Sequence, residues 1–140
     1  MKIYYWCPFI SEVATVRSVI NSIDSINKFS KTKITPYLIN AVGEWDKKID
    51  FLNQKKINTI KFYNFELMKY LPKLGFIKSR ISYFLIFFLT AFKLNKLIKK
   101  NKPEYLIIHL VTFVPLFLVL IFNYKTKFIL RISGYPRLNF

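Results

Sequence analysis

His109 is the single histidine of the chain and Cys7 the single cysteine. A lone imidazole can orient a substrate by hydrogen bonding. It cannot form a triad or a metal cluster without partners, and no His-x-Glu or Cys-x-x-Cys companion is present. His109 therefore reads either as a satisfied buried imidazole or as a ligand contact at the end of an apolar run. One cysteine excludes an intrachain disulfide and a thiolate metal cluster, and fits a reducing, cytoplasmic setting. Neither G-x-G-x-x-G after the first apolar run nor G-x-x-x-x-G-K-[ST] occurs, so dinucleotide binding and P-loop chemistry have no support. The remaining candidates lie in four segments, Cys7 to Thr15, Asn40 to Trp45, His109 to Thr112 and Ser133 to Pro136. Each follows a strand-like run, and ligands of open α/β sheets bind beyond the carboxyl ends of the strands.

The elements that position those segments alternate between short apolar runs and longer helical patterns, the signature of βαβ units. The first strand is Lys2 to Trp6, too short and too soon broken by Pro8 for a signal peptide. Ser11 is placed to cap a helix, with Glu12 in its first turn. In that helix Val13, Val16, Ile20 and Ile23 recur at helical spacing, widened by Val19 and Ile26. Ile34 to Asn40 reads as a second strand, Trp45 to Lys56 as a short polar helix, and Ile57 to Tyr63 as an edge strand interrupted by Asn58 and Lys61. The longest helix is Phe76 to Asn101, stopped by Pro103, with Ile77, Ile81, Phe84, Phe88 and Phe92 on one stripe. Glu104 to Leu110 is a buried strand, Thr112 to Tyr124 a helix with Pro115 near its start, and Lys127 to Ile132 a fifth strand. Five strands joined by helical crossovers predict a Rossmann-like parallel sheet in order 3-2-1-4-5, with helices on both faces and the first and fourth strands central.

Charge and hydropathy bear on partners. With 53% hydrophobic residues and 140 residues in all, the chain can bury a single core and is far from disordered compositions. Net charge is +16, and it is uneven: five basic against four acidic residues up to Asp46, then eighteen against three. Such a basic half serves an anionic membrane surface or reflects compositional drift, with nucleic acid disfavoured. Lys93, Lys96, Lys99 and Lys100 at the end of the longest helix are the candidate membrane-surface residues. The opposing reading is that Phe84 to Phe92 is core. Tyr83 to Phe92 is too short to span a bilayer, and Leu106 to Phe122 is divided by the α/β pattern into a strand and a helix.

Lys2 to Trp6, the turn into Val13-Ala14-Thr15-Val16-Arg17, the run ending in His109 and the segment Ile129 to Pro136 together resemble the N-terminal domain of family 4 glycosyltransferases of GT-B fold. The resemblance covers nearly the whole chain through motifs that are individually weak. It implies one Rossmann-like domain over residues 1–140, half of a GT-B enzyme, lacking the C-terminal domain that carries the family's donor-binding glutamate pair. It implies that the Ile10, Ser11, Val13, Ala14 and Thr15 loop approaches phosphate and acceptor, though the family's glycines are absent from it. It further implies that His109 contacts the transferred sugar, that Arg17 is a weaker phosphate candidate, and that Ser133-Gly134 replaces the family's His-Gly turn.

The function expected is acceptor binding for transfer of a sugar from a nucleotide sugar, UDP- or GDP-linked, to a glycan or lipid-linked acceptor in cell-surface polysaccharide synthesis. The location expected is cytoplasmic, at the inner face of the membrane. Neither a resident cofactor nor a metal is expected. Two alternatives remain: a small basic protein whose Tyr83 to Phe92 and Leu106 to Phe122 runs insert as a membrane hairpin, and a free-standing flavodoxin-like binding domain.

Overall fold

The computed structural model describes residues 1–11, 14–72, 75–109 and 114–131. Five strands, β1 (Lys2–Trp6), β2 (Thr35–Asn40), β3 (Asn58–Lys61), β4 (Tyr105–His109) and β5 (Lys127–Arg131), form one sheet in the order β3-β2-β1-β4-β5. Every neighbouring pair is parallel. The predicted α/β Rossmann-like arrangement and strand order are those observed. A flavodoxin-like sheet would instead run 2-1-3-4-5.

Helices α1 (Ala14–Phe29), α2 (Ile49–Gln54), α3 (Phe76–Asn101) and α4 (Val114–Ile121) make the crossovers. Period-2 alternation along β1 sends its side chains into two separate cores. Ile3 and Tyr5 pack with Val16, Val19, Ile20 and Ile23 of α1 and with Leu52 of α2. Tyr4 and Trp6 pack on the opposite face with Leu94 and Ile98 of α3 and Val114 and Leu118 of α4. Strand β1 is thus covered on both sides, which explains its uninterrupted apolar run. β3 is a short edge strand, as its polar interruptions suggested, and β5 forms the other, largely exposed edge.

The bounds of α3 follow from local chemistry. Gly75, at φ +89, precedes it. At its far end Lys102 adopts a left-handed conformation and donates its N–H to the Ile98 carbonyl (2.9 Å), and Pro103 then prevents continuation. The Leu106 to Phe122 run is split between β4, paired on both sides, and α4. The hairpin reading of that run therefore fails. Trp45 to Lys56 is also not one polar helix: Trp45 is fully buried, Asp46–Lys48 is a 3-10 turn, and only Ile49–Gln54 is α-helical.

A candidate functional site at the carboxyl edge of the sheet

Strand order reverses between β1 and β4, so the crevice beyond their carboxyl ends is where the topology places a ligand. Two loops build the described part of this edge. The first is Cys7 to Ser11, leaving β1. The second is Ala41 to Trp45, leaving β2, and it is fixed by side chains of its own.

Asn40, the last residue of β2, is buried and organises this second loop. Its Oδ1 accepts the Gly43 N–H (3.0 Å) and the Trp45 N–H (3.4 Å), while its Nδ2 donates to Asp46 Oδ1 (2.7 Å). Asp46 is also paired with Lys61 Nζ at 2.8 Å. Gly43 sits at φ +88, and a Cβ there would lie 2.8 Å from the Glu66 Cα. The loop therefore needs glycine for both backbone conformation and space.

Glu44 is turned back into the protein by this arrangement. It is only 4% exposed, and its carboxylate accepts the N–H groups of Ala41 (3.0 Å) and Val42 (2.7 Å). Burial, outweighing those hydrogen bonds, raises its pKa to about 7. Glu44 falls inside the candidate segment Asn40 to Trp45, but the sequence reading gave it no role of its own. The available signal was an acidic residue directly after a strand end and a glycine, inside an otherwise apolar segment.

Glu44 lines a cavity of about 250 Å³ with Phe9, Ile10, Ser11, Lys47 and Lys48. A larger groove of about 670 Å³ continues past Lys47 and Lys48 to Ala14, Arg17 and Phe51. Three cations, Arg17, Lys47 and Lys48, and the first residue of α1 thus border one groove. Cations and a helix N-terminus are the groups that hold phosphate.

Of the loop expected from sequence, Ile10 and Ser11 line the cavity. Ala14 and Thr15 instead lie in the first turn of α1, in keeping with the helical period read from Val13 to Ile26, and Arg17 is exposed on that helix. Glu12, Val13, Ser133 and Gly134 fall outside the described residues, so the capping role of Ser11 and the Ser-Gly turn have no structural account.

His109 ends β4 at the same edge, paired with Arg131 of β5. It is 1% exposed and its ring is stacked with Tyr5, 6.3 Å between centroids. Burial, followed by the Arg131 charge, lowers its pKa to about 4, so the imidazole is neutral. Its Nε2 has no hydrogen-bond partner among the described residues. His109 does not join the Glu44 cavity, whose described lining comes from the other side of the edge. Cys7 is fully buried and its thiol is pushed up to about 12 by burial, so it is no nucleophile. Among the described residues no group of three or more His, Cys, Asp or Glu could hold a metal ion.

The lysines at the end of α3 divide. Lys96, Lys99 and Lys100 are exposed. Lys93 is engaged inward: it donates to the Phe62 carbonyl (2.5 Å) and lies 3.5 Å from the Tyr63 ring centroid. Lys99 also lies over the Phe122 ring, 4.2 Å from its centroid. No protein-family model, curated protein or solved structure matches the chain.

Proposed function

We propose that this chain is the acceptor-side domain of a nucleotide-sugar-dependent glycosyltransferase, acting on a glycan or lipid-linked acceptor. The observation that carries the reading is the groove at the carboxyl edge, where a buried carboxylate with a pKa near 7 adjoins a strip of cations. Glycosyl transfer needs a group that accepts the hydrogen of the acceptor hydroxyl and positive charge beside a phosphate. Glu44 supplies the first, and its two backbone N–H donors hold it in one orientation. Arg17, Lys47 and Lys48 supply the second, next to the start of α1.

His109, expected from sequence to contact the sugar, is fully buried and does not line the groove, so it enters this reading only as a ring stacked on Tyr5 beneath the edge. Most of the rate such a site provides comes from positioning. The partner domain that holds the nucleotide would close over the same edge.

Calorimetric titration tests the reading. A glycosylated polyprenyl diphosphate analogue is expected to bind, and Arg17→Ala with Lys47→Ala to weaken it about tenfold or more. UDP- and GDP-sugars are expected to bind far more weakly. Low-micromolar binding of a sugar nucleotide, worth about −8 kcal/mol, would assign the donor site to this half and overturn the proposal. So would an acceptor analogue that binds the wild-type and the double variant equally.

A further inference from the structure

The predicted stripe of α3 does not face the core. Ile77, Ile81, Phe84, Phe88 and Phe92 are all exposed, Phe88 at 62% and Phe92 at 74%. The face turned to the sheet carries Ser82, Ile86, Thr90, Leu94 and Ile98 instead. α4 continues the outward surface. Its Leu116, Val119, Leu120 and Ile121 are exposed, Leu120 at 85%, and its Phe117 stacks edge-on with Phe87 of α3 at 4.9 Å. Single exposed apolar residues are ordinary, whereas two adjoining helices presenting such a face mark an interaction surface.

We infer that this α3–α4 face seats on an anionic lipid bilayer, with the aromatic stripe in the interfacial layer and Lys96, Lys99 and Lys100 at the head groups. Charge selects this occupant. α3 carries six basic residues and no acidic one, α4 carries no charge, and from Leu67 onward the chain has thirteen basic residues against one acidic. A second copy docked through the same face would bring like charges together, which disfavours association. An anionic leaflet attracts them. The stripe Ile77, Ile81, Phe84, Phe88 and Phe92 is wholly apolar, with exposed basic residues at both ends of the helix, Lys78 and Arg80 near its start and Lys96, Lys99 and Lys100 near its finish.

By length and composition, Ile77 to Asn101 would suffice to cross a bilayer. Its inward ties argue for lying on the surface instead. Tyr63 Oη donates to the Leu89 carbonyl (2.7 Å), Lys93 Nζ to the Phe62 carbonyl, and Tyr124 Oη to Asn95 Oδ1 (2.7 Å). Leu94 and Ile98 belong to the core under the sheet. Spanning would break all of these contacts.

The geometry also relates the bilayer to the candidate site. Ile86 and Tyr83, on the inner side of α3, pack with Ile10 and Val42 of the two site loops. The site then stands about one helix diameter, ~10 Å, behind the lipid-facing surface. This inference does not rest on the glycosyltransferase reading.

Co-sedimentation of the full chain with phosphatidylcholine vesicles, with and without phosphatidylglycerol, tests it independently of any transfer assay. The chain should bind the anionic vesicles and release at high salt. Phe88→Ser with Phe92→Ser, and separately Lys96→Glu with Lys100→Glu, should each weaken binding about tenfold or more. All four positions are exposed, so an unchanged circular dichroism spectrum will certify the fold. Equal binding to neutral vesicles, or no loss in either variant, overturns the proposal. A dimer that dissociates in the Phe variant and ignores vesicles assigns the face to a second copy. Binding that survives salt and alkaline carbonate assigns α3 to a spanning role.

Discussion

Replacing Glu44 by Gln should change how stability depends on pH, because two buried groups now work in opposite directions. Glu44 has a pKa raised from 4.5 to about 7. The native state therefore holds a proton that the unfolded chain has released, and the group's contribution is complete below pH 4.5 and lost as pH rises through 7. His109 is depressed from 6.5 to about 4, so its contribution is complete above pH 6.5 and lost as pH falls through 4. At about 1.4 kcal/mol per pKa unit, each amounts to roughly 3 kcal/mol. Between pH 4.5 and 6.5 the two slopes cancel, and the wild-type protein should be nearly flat there, declining from 6.5 to 7. Glu44→Gln keeps the shape and removes the titration, and it sets its amide NH2 against one of the Ala41 and Val42 N–H donors, a cost that lowers the whole curve without changing its slope. Its stability should then rise by roughly 3 kcal/mol from pH 4 to 6.5 and stay level above. Asp24 and Glu104, held below their ordinary values by Lys28 and by the Lys2 N–H respectively, titrate at the acid end and act equally in both proteins. Urea denaturation at half-unit steps of pH measures the two curves. Parallel profiles from pH 4.5 to 7 would show that Glu44 is not held in the buried, backbone-bonded position, and the site built around it would fall.

Gly43→Ala forces a side chain into a left-handed φ and against the Glu66 backbone, and should cost about 2–5 kcal/mol, lowering Tm by about 6 °C or more; a Tm within 2 °C of wild type would refute the close approach. His109→Phe should stay within about 1.5 kcal/mol of wild type, because the ring is buried against Tyr5 and the apolar replacement strands no partner of Nε2 among the described residues. A loss of several kcal/mol in thermal or urea unfolding would instead place that nitrogen in a structural network. Cys7 should resist iodoacetamide at pH 8 in the native protein and react readily once unfolded in urea, given its complete burial and raised pKa; rapid native labelling would show that the β1 edge opens.

The strands could be read from sequence because strands covered on both faces, such as β1 and β4, leave continuous apolar runs between turn residues. Order and parallel pairing then follow from the alternation with helices. Long-range burial was not readable in the same way. Glu44 appears in the sequence as one acidic residue after a glycine. Its raised pKa comes from burial, at a corner where Phe9 and Ile10 from the loop after β1 and Met68 from beyond β3, all distant in sequence, line the same cavity. Trp45 likewise belongs to the core through an edge-on contact with Phe9 at 5.0 Å, which no helical period between Trp45 and Lys56 encodes. The phosphate loop that the family resemblance extended through Thr15 is shorter, because Ala14 and Thr15 belong to α1, as the helical period from Val13 to Ile26 already required.

α3 shows why a strong apolar period does not by itself locate the core. Its most hydrophobic stripe, from Ile77 to Phe92, points outward, whereas the inward face mixes Ile86, Leu94 and Ile98 with Ser82 and Thr90. Those two hydroxyls are satisfied locally, Ser82 Oγ donating to the Pro72 carbonyl and Thr90 Oγ1 to the Ile86 carbonyl (2.6 Å), so they enter the interior without an orphaned donor. Small residues let α3 lie close to the protein beneath it, and packing density there depends on shape more than on hydrophobicity. The bulky aromatics of the outward stripe contribute little to that packing, and phenylalanines at such exposure gain little from folding. The stripe is therefore the part of the helix that the fold leaves unused, and its chemistry is accounted for by a surface outside the chain that accepts aromatic rings and attracts lysines.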